Sequence, residues 1–186
     1  MRHILGCEQF LREEIELLFQ QTDKIRQNPK DYRDALSGKI VATLFYEPST
    51  RTRLSFESAI LRLGGQNIST ENAREMSSAM KGESLADTIR VVHGYADCIV
   101  MRHFENDSAE RAAKVSNVPI INAGAGSGEH PTQALLDVYT IYREKGKIDG
   151  ISIAILGDLL YGRTIHSLIK LLALFKNITI DRKSVV

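Results

Sequence analysis

The hydrophobic residues of the first thirty positions recur every three to four residues, with acidic residues early in the segment and Pro29 just after it. This pattern predicts an amphipathic helix over residues 8–28 that ends before the proline. From residue 40 the pattern changes, because short apolar runs such as Ile40–Phe45 begin to alternate with segments of helical period. We therefore expect one N-terminal helix followed by a region of alternating strands and helices.

Strands and helices are predicted to alternate through the rest of the chain. The apolar runs predict strands at residues 40–45, 67–68, 98–101, 119–121, 151–156 and 178–180, and the helical segments lie at 50–63, 83–93, 109–115, 131–143 and after Gly162. Strands that are apolar on both faces and alternate with helices are typical of a parallel sheet covered on two sides. The predicted fold class is therefore α/β, and ligands of such sheets bind at the carboxyl ends of the strands.

A polar, glycine-containing segment near residues 145–150 divides the chain into two predicted units. We predict a first domain over residues 1–145 and an incomplete second α/β domain over residues 146–186. The second unit is a single strand, helix and strand, which cannot cover both faces of its own sheet. We therefore expect apolar surface to be exposed between residues 151 and 180.

Composition excludes several classes of protein. Charged residues make up 25% of the 186 positions and leave a net charge of +1, which argues against a basic nucleic-acid-binding protein. The apolar run at 168–180 is broken by two lysines and is shorter than the roughly 20 residues of a membrane helix. Cys7 and Cys98 lie far apart, and no cysteine or histidine has zinc-ligand spacing. The sequence predicts a cytoplasmic protein that binds neither nucleic acid nor membrane and needs no metal or cofactor.

The loop after the first strand combines several features of an anion site. Ser49 or Thr50 can cap the following helix, whose first amide groups have no partners within the helix. Arg51 and Arg53 add forked donors that suit phosphate or carboxylate. A plain helix cap with surface arginines is the alternative interpretation of this loop.

Two further loops carry single cationic groups. Lys81 lies in a small-residue loop before a helix, and Arg102 follows a buried strand at the edge where a ligand would bind. Ordinary surface roles are the alternative for both residues.

The glycine-rich segment 124–133 leads into a helix whose first turn brings His130 and Gln133 together.

The last of these loops, residues 157–164, nearly spells a nucleotide-binding phosphate loop. Arg163 stands where that motif requires lysine, and Asp158 would place a negative charge near the phosphates. We therefore interpret Arg163 as a clamp for carboxylate or phosphate. The five loops together favour a group transfer that depends on positioning and charge stabilisation, with no covalent intermediate.

Taken together and in order, the five loops resemble the signatures of the transcarbamoylase family, over nearly the whole chain up to about residue 180. The segments with the clearest resemblance are Ser49-Thr50-Arg51-Thr52-Arg53, His130-Pro131-Thr132-Gln133 and Gly157-Asp158 with Gly162-Arg163-Thr164. The resemblance implies transfer of a carbamoyl group from carbamoyl phosphate to the amine of L-aspartate, which gives N-carbamoyl-L-aspartate and phosphate in pyrimidine biosynthesis. An ornithine-using member, which typically has cysteine where Thr132 stands, is the alternative, and so is a non-catalytic fragment that binds carbamoyl phosphate.

The resemblance also implies a role for each matching residue. The carbamoyl phosphate ligands are Ser49, Thr50, Arg51, Thr52, Ser77, Lys81, Arg102, His130 and Gln133, and Arg163 pairs with a carboxylate of aspartate. The first four bind the phosphate, Arg102 and His130 polarise the carbonyl, and Gln133 holds the amide nitrogen. Arg51, His130 and Lys81 are the implied catalytic residues.

The family forms homotrimers in which residues matching Ser77 and Lys81 reach in from a neighbouring subunit, and regulatory subunits are possible partners. We expect the chain to be truncated at its C-terminus, because residues 181–186 depart from the family pattern and one codon spelling of them matches a common sequencing adapter. The aspartate half of the site then has only Arg163. The expected behaviour is carbamoyl phosphate binding with poor or absent turnover.

Overall fold

The computed structural model describes residues 2–71 and 82–184. Within these ranges the α-helices are α1 (Arg12–Gln27), α2 (Thr50–Arg62), α3 (Leu85–Val92), α4 (Ser108–Val115), α5 (Pro131–Lys145) and α6 (Arg163–Leu172). The strands are β1 (Ile40–Phe45), β2 (Gln66–Glu71), β3 (Cys98–His103), β4 (Ile120–Ala125), β5 (Ser152–Gly157) and β6 (Thr179–Ser184). None of the described helices combines the length and the apolar character that a membrane crossing requires.

Four strands form one parallel sheet in the order β2-β1-β3-β4. On one face of this sheet Leu44 belongs to a buried cluster with Ile89 of α3 and Ala112 of α4. On the other face Phe45 is buried in a cluster with Ile60 of α2. Helices therefore cover the sheet on both sides, which confirms the predicted α/β fold class and leaves the carboxyl ends of the strands as the open edge.

The C-terminal unit docks on the first unit through its helix. β5 and β6 form a separate two-stranded parallel sheet, while Leu171 and Phe175 are buried in one cluster with Phe19 of α1 and Val138 of α5. Other apolar side chains of this unit stay exposed, as expected: Leu156 is 68% exposed, and Leu160 and Tyr161 are each 71% exposed. The division into domains at residue 145 stays a prediction.

Helix α1 begins at Arg12, so the predicted start at residue 8 is wrong. Phe10 and Leu11 have extended backbone, and the Glu14 carboxylate accepts the Leu11 N–H at 2.9 Å. This bond satisfies one of the amide groups that a helix start leaves unpaired, and it fixes the first turn. Phe10 is instead buried in the cluster between α1, α5 and α6.

Several strands are longer than the apolar pattern predicted. β3 continues through His103, so Arg102 lies within the strand, paired with Phe45, and not after it. β4 continues to Ala125, which pairs with His103, although its glycine and polar residues predicted a loop there. The polar edge strand β2 pairs with β1 along its whole length. Backbone pairing with a neighbour sets these strand ends, and side-chain hydrophobicity does not.

The cluster between α1, α5 and α6 provides a direct test of how the two units pack. Ile15 is fully buried in it, so Ile15→Val removes one methyl group and is expected to lower the free energy of unfolding by about 1 kcal/mol. Leu17→Ala on the same helix, where the side chain is 62% exposed, is the control and is expected to stay within about 0.5 kcal/mol of the wild type. Urea denaturation measures both, and equal effects would contradict the packing described.

Candidate active site

A cavity of about 770 Å³ lies at the carboxyl edge of the sheet. It is lined by Ser49, Arg51, Thr52, Ser55, Phe56, Ala59, Arg102, His130, Thr132, Gln133, Leu136, Asp137, Arg163 and Thr164. We call it the central cavity. The N-terminal turns of α2, α5 and α6 all contribute to it, so it combines unpaired helix amides with three arginines. A smaller cavity of about 280 Å³ lies between α1 and the end of α5, away from this edge.

The start of α2 presents the anion-binding features that the sequence predicted. Ser49 is the N-cap residue, and its side chain makes no capping hydrogen bond, so the first-turn amides are not taken up by it. Arg51 is exposed and lines the cavity with Thr52, whereas Thr50 opens the helix outside the lining set. Arg53 turns elsewhere and pairs with Glu71 at 2.8 Å. Arg53 is not among the residues that line the cavity, so the structure does not place it there as an anion donor.

Glu47 joins two arginines of the central cavity. Its carboxylate accepts a hydrogen bond from Arg102 and bonds of 3.2 and 3.4 Å from Arg163, and Arg163 also donates to the Gly126 carbonyl. Burial raises the pKa of Glu47, but the bonds from Arg163 and Arg102 outweigh burial and hold the pKa below its ordinary value. Two guanidinium groups therefore lie beside a single carboxylate, which leaves a net positive charge at this edge.

Gly124 lies beside the two arginines in a backbone conformation that favours glycine. Its φ of +120° is a backbone conformation that L side chains rarely adopt, and a Cβ there would lie 3.4 Å from both Arg102 Nη1 and Arg163 Cζ. Arg102 Nε is buried and has no hydrogen-bond partner among the described residues. Arg102 nevertheless lines the cavity, so its positive charge acts there.

His130 is a buried residue at the N-cap of α5, 5% exposed. Its backbone N–H donates to Ser167 Oγ of α6 at 3.0 Å, and Thr132 Oγ1 lies 3.4 Å from its Nδ1. Burial, which is the larger cause, and the positive charges of Arg163 and Arg102 together lower the pKa of His130 to about 4. The imidazole is therefore neutral at pH 7, with one N–H available to donate.

The bond from His130 to Ser167 has a measurable consequence for stability. Ser167 is fully buried, so Ser167→Ala leaves the His130 N–H without an acceptor and is expected to cost about 1–2 kcal/mol. The control is Ser58→Ala on α2, an exposed serine whose loss is expected to change stability by less than about 0.5 kcal/mol. If urea denaturation finds the two variants equally stable, Ser167 does not hold the His130 backbone.

Gln133 is held on the adjacent turn of α5. Its amide Nε2 donates to Asp137 Oδ1 at 2.8 Å, one helical turn further along. Burial raises the pKa of Asp137, and the bond from Gln133 acts against this rise. Both side chains line the central cavity.

Seven of the ten predicted site residues line this one cavity: Ser49, Arg51, Thr52, Arg102, His130, Gln133 and Arg163. Thr50 lies next to it at the helix start, and Ser77 and Lys81 lie outside the described residues.

Three supporting residues received no role from the sequence: Glu47, Asp137 and Ser167. Asp137 could have been found from its spacing of four residues after Gln133. Glu47 and Ser167 act across elements whose adjacency no local pattern reveals.

The chain matches known proteins over most of its length. The family model described as the carbamoyl-P binding domain of aspartate/ornithine carbamoyltransferase matches residues 2–143. The chloroplastic aspartate carbamoyltransferase of Arabidopsis thaliana is 60% identical over 180 residues, which cover 95% of this chain and 46% of that protein. The aspartate carbamoyltransferase catalytic subunit of Methanococcus vannielii is 54% identical over 180 residues, which cover 96% of this chain and 59% of that protein. The chain spans about half the length of the curated relatives it matches.

Solved structures agree with the fold. The catalytic subunit of M. jannaschii aspartate transcarbamoylase superposes with a TM-score of 0.92 at 53% identity, over 99% of this chain and 60% of that one. Aspartate transcarbamoylase from Trypanosoma cruzi, solved in complex with carbamoyl phosphate and aspartate, superposes with a TM-score of 0.91 at 40% identity. The match covers 98% of this chain and 67% of that one. Similarity at this level extends through both the first unit and the strand, helix and strand that follow it.

Proposed function

We propose, because this chain belongs to the aspartate/ornithine carbamoyltransferase family, that its central cavity binds carbamoyl phosphate for transfer of the carbamoyl group to the amine of L-aspartate. The observation that carries the proposal is the convergence of three arginines, a neutral histidine and a glutamine on one cavity at the carboxyl edge of the sheet. Such a cavity stabilises charge on both the leaving phosphate and the carbonyl oxygen. The products are N-carbamoyl-L-aspartate and phosphate, as in pyrimidine biosynthesis.

In this proposal the start of α2 holds the phosphate group. Ser49 and Thr52 supply hydroxyl donors, the first-turn amides and Thr50 add to them, and Arg51 supplies a forked cation. Phosphate leaves as an anion when the C–O bond breaks, so the same donors become more effective during the reaction. Arg51 is thereby both a substrate ligand and the stabiliser of the leaving group.

The carbamoyl end points towards Arg102, His130 and Gln133. Neutral His130 donates one N–H to the carbonyl oxygen, and the positive charge of Arg102 stabilises the charge that develops there. The amine of aspartate then attacks the carbonyl carbon and a tetrahedral intermediate forms. The C–O bond breaks, and phosphate departs with the proton that the amine loses. No residue of the protein is covalently modified in this sequence.

Arg163 is proposed to bind a carboxylate of aspartate. In the structure its guanidinium lines the central cavity and pairs with the Glu47 carboxylate, so carboxylate is a partner whose geometry suits it. Ser77 and Lys81 are proposed to act from a neighbouring subunit of a homotrimer, with Lys81 as the third catalytic residue. Cytoplasmic location stays a proposal, since the plant relatives are named as chloroplastic.

Aspartate is favoured over ornithine as the acceptor. Thr132 occupies the position where ornithine-using members typically have cysteine, and the relatives described above are named aspartate carbamoyltransferases. A cationic Arg163 also suits the second carboxylate of aspartate better than the side-chain amine of ornithine.

Calorimetric titration tests the proposed function. The purified chain is titrated with freshly dissolved carbamoyl phosphate and, separately, with ATP, and formation of carbamoyl aspartate is assayed in parallel. The expected result is binding of carbamoyl phosphate and no binding of ATP. Binding without turnover would assign this chain the carbamoyl phosphate half of the reaction only, whereas binding of ATP alone would favour the nucleotide-loop interpretation of residues 157–164.

A further inference from the structure

Gln133 and Asp137 form a hydrogen-bonded pair on the wall of the central cavity. They lie four residues apart on α5, so their side chains share one face of the helix. Gln133 Nε2 donates to Asp137 Oδ1 at 2.8 Å. A carboxylate can only accept hydrogen bonds, so it determines which end of the glutamine amide turns towards it.

We infer that Asp137 is a positioning residue that fixes the amide of Gln133 and so makes the cavity select an acyl phosphate that carries an NH₂ group. With the amide nitrogen bound to Asp137, the amide oxygen remains as an acceptor. No donor within the described part of the chain hydrogen-bonds to Gln133 Oε1. The inference rests on the proposed function and adds a specificity determinant to it.

The Gln133 amide oxygen can distinguish two ligands that differ in a single substituent. Carbamoyl phosphate and acetyl phosphate have the same phosphate and the same carbonyl, but one carries NH₂ where the other carries CH₃. A fixed acceptor oxygen pairs with the N–H of the first ligand and is left without a partner against the methyl group of the second. Sites built to hydrogen-bond a polar substituent reject the apolar analogue for this reason.

Without Asp137 the Gln133 amide is free to turn about its terminal torsion, which has two nearly equivalent orientations. The amide oxygen then faces the ligand only part of the time, and the amide nitrogen repels the NH₂ group in the remainder. Affinity for carbamoyl phosphate should fall. Affinity for acetyl phosphate should not, because its methyl group uses neither end of the amide.

The test measures dissociation constants of carbamoyl phosphate and acetyl phosphate for the full chain and three variants. The wild type is expected to prefer carbamoyl phosphate by about tenfold or more. Asp137→Ala is expected to bring this ratio below about threefold. Its dissociation constant for acetyl phosphate is expected to stay within about twofold of the wild-type value. Asp137→Asn, which keeps an acceptor oxygen but can also rotate it away, is expected to restore part of the ratio.

Asp107→Asn is the matched control. Asp107 also has a partner four residues along, Arg111 at 3.3 Å, but it is exposed and outside the cavity, so this variant should keep the wild-type ratio. An unchanged ratio in Asp137→Ala, or an equal loss of affinity for both ligands, would overturn the inference. Binding of carbamoyl phosphate by the wild type would still support the proposed function in either case. If the wild type binds neither compound, the proposed function fails and this inference fails with it.

Discussion

Arg51→Ala is expected to weaken carbamoyl phosphate binding by about a hundredfold. Arg51 is the exposed cation at the start of α2 and lines the central cavity. A forked guanidinium makes two charge-assisted hydrogen bonds to phosphate, each worth about 1.5–3 kcal/mol, and tenfold in affinity corresponds to about 1.4 kcal/mol. Titration calorimetry of the wild type and the variant under identical salt measures the ratio.

The control for Arg51→Ala is Arg62→Ala at the other end of the same helix. Arg62 is exposed, and among the described residues its side chain donates only to Ser58 of its own helix. Its removal therefore changes the net charge equally without touching the cavity. The expected affinity of this variant is within about threefold of the wild type. Equal losses of affinity in the two variants would show that the net charge of the protein attracts the ligand, and the role assigned to Arg51 would be wrong.

Acidification is expected to destabilise the protein through His130 by roughly 3 kcal/mol between pH 6.5 and about pH 4. The pKa of His130 is lowered in the folded protein to about 4, whereas the unfolded chain protonates near 6.5. Below pH 6.5 the unfolded state therefore takes up the proton first. Stability from this group is fully present above pH 6.5 and is lost as the pH falls to about 4.

The pH effect is measured as a difference between variants, because carboxylates also titrate in this range. Urea denaturation of the wild type and of His130→Gln at pH 7 and at pH 4.5 gives the part of the stability loss that is due to His130. The variant is expected to lose less stability on acidification. His93→Gln controls for the loss of an imidazole outside the cavity. If the His130 variant loses as much stability as the wild type, the histidine is not held neutral by its surroundings.

Local patterns predicted the kinds of element well, and their ends less well. The apolar runs place β1 and β5 within a residue or two. β1 is buried on both faces and is therefore apolar throughout, whereas β5 is apolar although much of it is exposed. β2 and β4 are underestimated, since polar and small residues there are held by pairing with a neighbouring strand. The start of α1 is missed because Glu14, and not a residue before the helix, supplies the capping bond.

The residues of the candidate site also divide into those that local patterns could predict and those that they could not. Residues at strand ends and helix starts, such as Arg51, His130 and Gln133, could be predicted because a parallel sheet brings those loops to one edge. The partners that hold them could not, since Glu47 meets Arg102 only because β1 and β3 are neighbours in the sheet. Strand order and helix docking are properties of the whole fold.

The second unit contributes more to this site than its size suggests. Arg163 lines the cavity, and Ser167 accepts the His130 N–H, and both belong to α6. The same helix is anchored by Leu171 in the cluster with α1 and α5. Packing of α6 therefore couples the stability of the two units to the position of the His130 backbone.

Amide shifts of the ¹⁵N-labelled chain on addition of carbamoyl phosphate test the central claim most directly, because they locate the ligand. We expect the largest changes at residues 49–53 and 130–133, and we expect ATP to cause none there. Changes confined to residues 157–162, or to the small cavity between α1 and the end of α5, would contradict the assignment of the central cavity as the carbamoyl phosphate site.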